Sequence, residues 1–183
     1  MNPVIKAQVS DFSNTNAITG RSESELFEIY SIYSILNGGL GETIDPIDAH
    51  LSGVEFGMDG VAILVQGRLV SDTTDASDAI ADIKNPQIDF YFFQSKTGTS
   101  FDYGEISKFF DAVSGFFNGE MAGESAQLDD LVAVKDALYE RAVGKRNPGL
   151  HAYYACTGNY DSPARIQKTY KHNFKPMGRT KYI

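Results

Sequence analysis

Residues 90–93 read Phe-Tyr-Phe-Phe within the segment Ile88–Gln94, and nothing else in the chain restricts its fold so strongly. A β-strand sends alternate side chains to opposite faces. Four consecutive rings therefore require apolar cover on both sides, which is the situation of an inner strand in a sheet packed between helices. The pattern supplies such helices. Ser22 and Glu25 form a capping box, Leu26, Ile29, Tyr30, Tyr33 and Leu36 follow at helical spacing, and Asn37-Gly38-Gly39 ends the run. Asp102 and Glu105 repeat the box ahead of Ile106, Phe109, Phe110, Val113 and Phe117. A third amphipathic helix is predicted over 128–143, through Leu128, Leu131, Val134 and Leu138, with Asn147-Pro148-Gly149 as its stop.

Four further strands are expected around the aromatic one. Val61–Val65 is β-branched and apolar, and Gln66-Gly67 turns it into Arg68-Leu69-Val70 as a hairpin. Leu150–Cys156 is strand-like, and the stretch from Ile44 to Val54 is read as a short edge strand. Ser71 to Pro86, Asp-rich with small residues between, reads as a loop or a short exposed helix. Ser162-Pro163 has the cap-then-proline look of a last helix ending near Lys171. The fold class that follows is α/β, one domain with a mixed β-sheet flanked by helices. Residues 1–20 are expected to be a polar, poorly ordered N-terminal lead-in, 21–172 the domain, and 173–183 a basic C-terminal tail.

Composition narrows the class of function. Of the 183 residues, 42% are hydrophobic, enough for a packed core, and no run approaches the ~18 apolar residues of a membrane span. Cys156 is the single cysteine, which removes a disulfide framework and a multi-thiolate zinc site and suggests a cytoplasmic setting. The charge is polarised along the chain. Residues 1–143 carry 8 Lys and Arg against 23 Asp and Glu, whereas residues 144–183 carry 8 against Asp161 alone. A basic C-terminal fifth on an acidic body can hold a polyanion on one side.

The residues that could carry chemistry are Asp59 in Gly57-Met58-Asp59-Gly60 and Gln94-Ser95-Lys96 at the end of the aromatic strand. Gln94 and Lys96 are two apart and so share a face. If the two strands are neighbours, an acid, an amide oxygen and an ammonium converge at one sheet edge. Metal-assisted phosphodiester hydrolysis uses such a trio. Hard oxygens hold Mg²⁺, the ion polarises the phosphate and activates a water, and the lysine orients that water. The Ser95 backbone carbonyl offers one more oxygen.

These residues carry a resemblance. The spacing resembles the PD-(D/E)xK, or restriction-endonuclease-like, nuclease superfamily. More closely, G-M-D-G-V-A-I-L-V-Q-G followed by D-F-Y-F-F-Q-S-K-T-G-T-S-F-D-Y-G-E-I-S-K-F-F is similar to the N-terminal region of abortive-infection phage-resistance proteins. The resemblance implies an α-β-β-β-α-β core, cleavage of DNA and a role in anti-phage defence or restriction. By position, Asp59 matches the metal-binding acid of the second core strand, Gln94 the variable acid of the third, and Lys96 its lysine. Glu28 in L-F-E-I-Y matches the glutamate that the first helix of such folds contributes. The cofactor implied is Mg²⁺, with Mn²⁺ as a substitute. The partners implied are DNA, with RNA left open, and a homodimer or larger defence complex, with no membrane. The departure is Gln94, where the superfamily more often has Asp or Glu. A neutral ligand weakens metal binding, so a degenerate nuclease fold acting as a nucleic-acid-binding or protein-docking module stands as the alternative.

Other residues offer less. His151 and Cys156, five apart on one strand, fall on opposite faces, and Cys156 reads as a core residue. Asn37-Gly38-Gly39-Leu40-Gly41 lacks the Lys-Ser/Thr of a phosphate-binding loop. Tyr160, Arg165, Lys168, Tyr170, Lys171 and Lys175 interleave rings with positive charge, a mixture suited to backbone phosphates and stacked bases.

Overall fold

The computed structural model describes residues 1–38, 40, 43–53, 57–143, 146–158, 164 and 168. Its centre is a four-stranded mixed sheet of β1 (Gly60–Val65), β2 (Arg68–Val70), β3 (Ile88–Lys96) and β4 (Gly149–Cys156), in the order β2-β1-β3-β4. Gln66 and Gly67 join β1 to β2 with φ of 54° and 79°. Positive φ at both turn residues gives a two-residue hairpin the twist its strands need. β3 runs antiparallel to β1, pairing Gly60 with Phe93 and Val65 with Ile88. β4 lies parallel to β3, from Asp89 opposite Gly149 to Lys96 opposite Cys156. A parallel pair needs a crossover, and α4 (Tyr103–Asn118) and α5 (Ala126–Leu138) lie between these two strands in the chain.

Both faces of β3 are covered. Phe90 and Phe92 join Val61 and Ile63 in a core closed by Phe109 and Phe116 of α4, by Leu128 and Leu131 of α5, and by Ala76 and Ile80 of α3 (Thr73–Ile80). On the other face Phe93 packs with Ala62 and Leu64 beneath Ile32 and Leu36 of α2 (Glu23–Asn37). The three Phe rings are at most 1% exposed. Tyr91 is only half-buried and stacks on His151 of β4, ring centroids 4.4 Å apart. Cys156 is likewise half-buried.

Several elements differ from the expectations. The first twenty residues hold α1 (Pro3–Thr15) instead of a disordered lead-in. Asn2 caps its first turn and Pro3 sits where a missing N–H costs nothing. Ile5, Val9 and Phe12 fall on one side, and Phe12 meets Tyr30 and Tyr33 of α2 at 5.4 and 5.3 Å. That short apolar stripe is easily lost among polar neighbours. The Asp-rich stretch contains α3, capped by Asp72, and it is not wholly exposed, since Ala76 and Ile80 are buried. The segment expected as an edge strand forms a turn over 46–49 and, among the described residues, a lone bridge from His50 to Gly60. Asp45 and Asp48 each accept a backbone N–H of this turn, local bonding that competes with strand pairing. The third helix ends at Leu138 and continues as a single π-helical turn, Tyr139–Val143. At α4, Asp102 caps as expected, but the Glu105 side chain turns toward Lys108 and Lys96.

The close approach of elements around Asp59 is visible at Gly60. A Cβ there would lie 2.5 Å from Ile32 Cδ1 and 2.6 Å from the Ala49 carbonyl oxygen. The carbonyl is backbone and cannot swing away. Gly60→Ala is expected to lower stability by about 1–3 kcal/mol, read as a shift of the urea unfolding midpoint at unchanged slope.

Candidate active site

The register of β1 against β3 builds the site. Because Gly60 faces Phe93, the residue before β1 lies beside the last residues of β3. The Asp59 N–H donates to the Phe93 carbonyl at 2.8 Å, and the Asp59 carbonyl accepts from the Leu51 N–H at 2.9 Å. Its carboxylate is held through one oxygen, Oδ2, which accepts the Ser95 N–H at 2.6 Å and the Gln94 Nε2 at 2.9 Å. Asp59 therefore stands just before the first strand of the described sheet, not on the second of three.

Burial dominates the electrostatics. It raises the Asp59 carboxyl from its ordinary 3.8 to about 6, against the Ser95 N–H, which lowers it. The negative charge of Glu28 raises it further, while Lys96 and His50 pull it down. Gln94 is 2% exposed and spends its amide nitrogen on Asp59, leaving its Oε1 buried without a partner among the described residues. An unsatisfied buried acceptor costs about 1–3 kcal/mol. Lys96 lies farther out, its Nζ 3.4 Å from Glu105 in the first turn of α4. Its ammonium acts on Asp59 through space. The strand end that carries it is fastened to β4, since the Thr157 hydroxyl donates to the carbonyls of Thr97 and Gly98, each at 3.0 Å.

Glu28 is not an outward-facing helix acid. Its Oε2 lies 3.1 Å from His50 Nε2, and its Oε1 accepts from the Ser24 hydroxyl at 3.2 Å. Glu25, one turn earlier, caps α2 together with Ser22. The structure thus adds His50 and Glu105 to the residues expected at this end of the sheet. No local pattern marks His50. The spacing that puts Glu105 three residues after its cap reads equally well as half of a capping box. Of the basic residues expected to meet nucleic acid, Arg165, Lys171 and Lys175 lie outside the described residues, as do most of the expected last helix and the tail; Lys168 is helical and exposed.

Among the described residues no group of three His, Cys, Asp or Glu side chains could hold a metal ion by itself. The donor set at Asp59 is of another kind, one carboxylate bonded to the nitrogen of an amide whose oxygen lacks a partner among the described residues. Hard oxygens of this sort fit Mg²⁺ or Mn²⁺, which keep several waters of their own. A cavity of about 680 Å³, lined by Asp89, Phe90, Phe117, Lys135, Tyr139 and Arg146 among others, opens at the opposite end of β3 and takes no part in this arrangement. Among the described residues, no helix is long and apolar enough to cross a membrane.

The raised Asp59 value fixes the sign of a pH effect. Between about pH 4 and 6 the folded chain holds a proton that the unfolded chain has released, so stability falls as pH rises through this window. Above it the whole penalty is felt, on the order of 3 kcal/mol for a shift of this size. Asp59→Asn keeps an acceptor for Ser95 and Gln94 and removes the charge. It is expected to unfold at higher temperature than the parent chain at pH 8, with the gap closing toward pH 4 in paired thermal melts. Set against protein-family models, curated proteins and solved structures, the chain matches none of them.

Proposed function

We propose that the chain is a metal-dependent nuclease domain that hydrolyses DNA phosphodiester bonds on a restriction-endonuclease-like core, within an anti-phage defence or restriction system. The observation that carries this reading is the buried Gln94 amide, whose nitrogen is bonded to the Asp59 carboxylate and whose oxygen has no partner among the described residues. Turned over, the amide would bring its oxygen to the carboxylate, and a cation between the two would satisfy both. The four-stranded mixed sheet flanked by helices is compatible with the same reading.

Asp59, Gln94 and the Ser95 carbonyl would hold Mg²⁺ or Mn²⁺, with Glu28 assisting from α2. A bound ion of this kind polarises a phosphate and lowers the pKa of a coordinated water. Above about pH 6 Asp59 is ionised and able to hold a cation. Lys96, 39% exposed in its side chain, can leave Glu105 and orient the attacking water against the phosphate. Arg165, Lys168, Lys171 and Lys175, in the part of the chain where positive charge is concentrated, would hold the nucleic-acid backbone. The ion pair between Lys96 and Glu105 favours a second reading, in which the fold binds nucleic acid or protein without cutting.

Nicking of supercoiled plasmid in Mg²⁺, in Mn²⁺ and in EDTA tests the proposal. The parent chain is expected to cut only with metal, and Asp59→Ala and Lys96→Ala are expected to lose at least about a hundredfold while remaining folded. Cutting that survives both substitutions, or EDTA, would overturn it. A folded parent chain that binds DNA without cutting under any of these conditions would select the second reading.

A further inference from the structure

We infer that His50 is the positioning residue of the Asp59 site, holding the Glu28 carboxylate where its charge strengthens cation binding. The inference rests on the metal-dependent reading above and assigns a role to a residue outside the sequence motif.

His50 is tied to both sides of the site. The segment that carries it is laid against Asp59 by two hydrogen bonds, Leu51 N–H to the Asp59 carbonyl and Val61 N–H to the Ala49 carbonyl at 3.0 Å, which together make the bridge between His50 and Gly60. The His50 carbonyl also accepts the Gln127 side-chain amide of α5 at 3.0 Å. The backbone under the ring is thus fixed by β1 and by a helix. The ring itself is 2% exposed and reaches a helix on the other side of the site, where Nε2 meets Glu28 Oε2 at 3.1 Å. An ionised carboxylate can only accept, so Nε2 carries the proton and donates. Ser24 supplies the second bond to Glu28. A glutamate has three rotatable side-chain bonds, and two directed donors leave it few places to go.

The direction of the effect follows from charge. Glu28 lies one turn before Ile32, the α2 residue that abuts Gly60, and its partner His50 is bridged to Gly60, so its field reaches the neighbouring Asp59. The same field favours a positive ion at Asp59. Partners that orient residues near a metal typically change its affinity by about 10–100-fold when removed, and His50 stands in that relation to Glu28.

The test is Mn²⁺ binding to the full chain by isothermal titration, with the fold checked by circular dichroism. His50→Ala and the ring-preserving His50→Phe are each expected to weaken binding about tenfold or more. His50→Gln, which keeps a donor of similar reach, is expected to stay within about threefold of the parent. Because His50 acts through Glu28, adding His50→Phe to Glu28→Ala is expected to cause no further loss. Parent-like binding by His50→Phe would overturn the inference alone. So would a full second loss on top of Glu28→Ala, the signature of a merely structural residue. A parent chain that binds no Mn²⁺ would overturn the metal reading and this inference with it.

Discussion

The pairing of Gly60 with Phe93 is the constraint from which the rest of the candidate site follows. It places residue 59 beside residues 94 and 95, and the Asp59 carboxylate closes the junction by taking the Ser95 N–H and the Gln94 amide. A shift of one residue would turn every side chain of β3 to the other face. That alternative is closed off because both faces of β3 are buried against different partners, Phe109 and Phe116 on one side and Ile32 and Leu36 on the other. The register is set by apolar packing, and the polar site inherits its geometry from it.

The same packing explains why the site is costly. Burial that fixes the register also removes Asp59 from water and leaves one oxygen of Gln94 unpaired. A chain selected for stability alone would place an apolar pair there. Retaining a carboxylate with a raised pKa and an unsatisfied amide at the sheet end is the kind of local inconsistency that marks functional positions. Lys96 and Glu105, held at the rim, are solvated enough to move, whereas Asp59, Gln94 and His50 are fixed from several sides.

Much of this was legible beforehand, and the reason differs by element. The aromatic run of β3, the capping box at Ser22 and the Gln66-Gly67 turn are local patterns whose physics is complete within a few residues. The helix over 3–15 was hidden because its stripe is only three residues long, and its stability comes from Phe12 on Tyr30 and Tyr33. The turn before His50 is not legible as a turn from its apolar residues, because the Asp45 and Asp48 side-chain bonds that compete with strand pairing decide it. Glu28 was legible as a candidate from its resemblance, but nothing in its neighbours shows that it faces inward.

The sequence by itself determined the α/β class, the central position of β3 and the identities of Asp59, Gln94 and Lys96 as residues worth watching. Period-two alternation, cap chemistry and turn chemistry are short-range, and they are written into consecutive residues. Only the tertiary structure decided that Gln94 donates to Asp59 and keeps an oxygen bare, that Lys96 rests on Glu105, and that His50 grips Glu28. Those contacts join residues 9 to 35 positions apart. Their geometry depends on how two faces of one strand are packed at once, a condition that no local stretch of sequence can express.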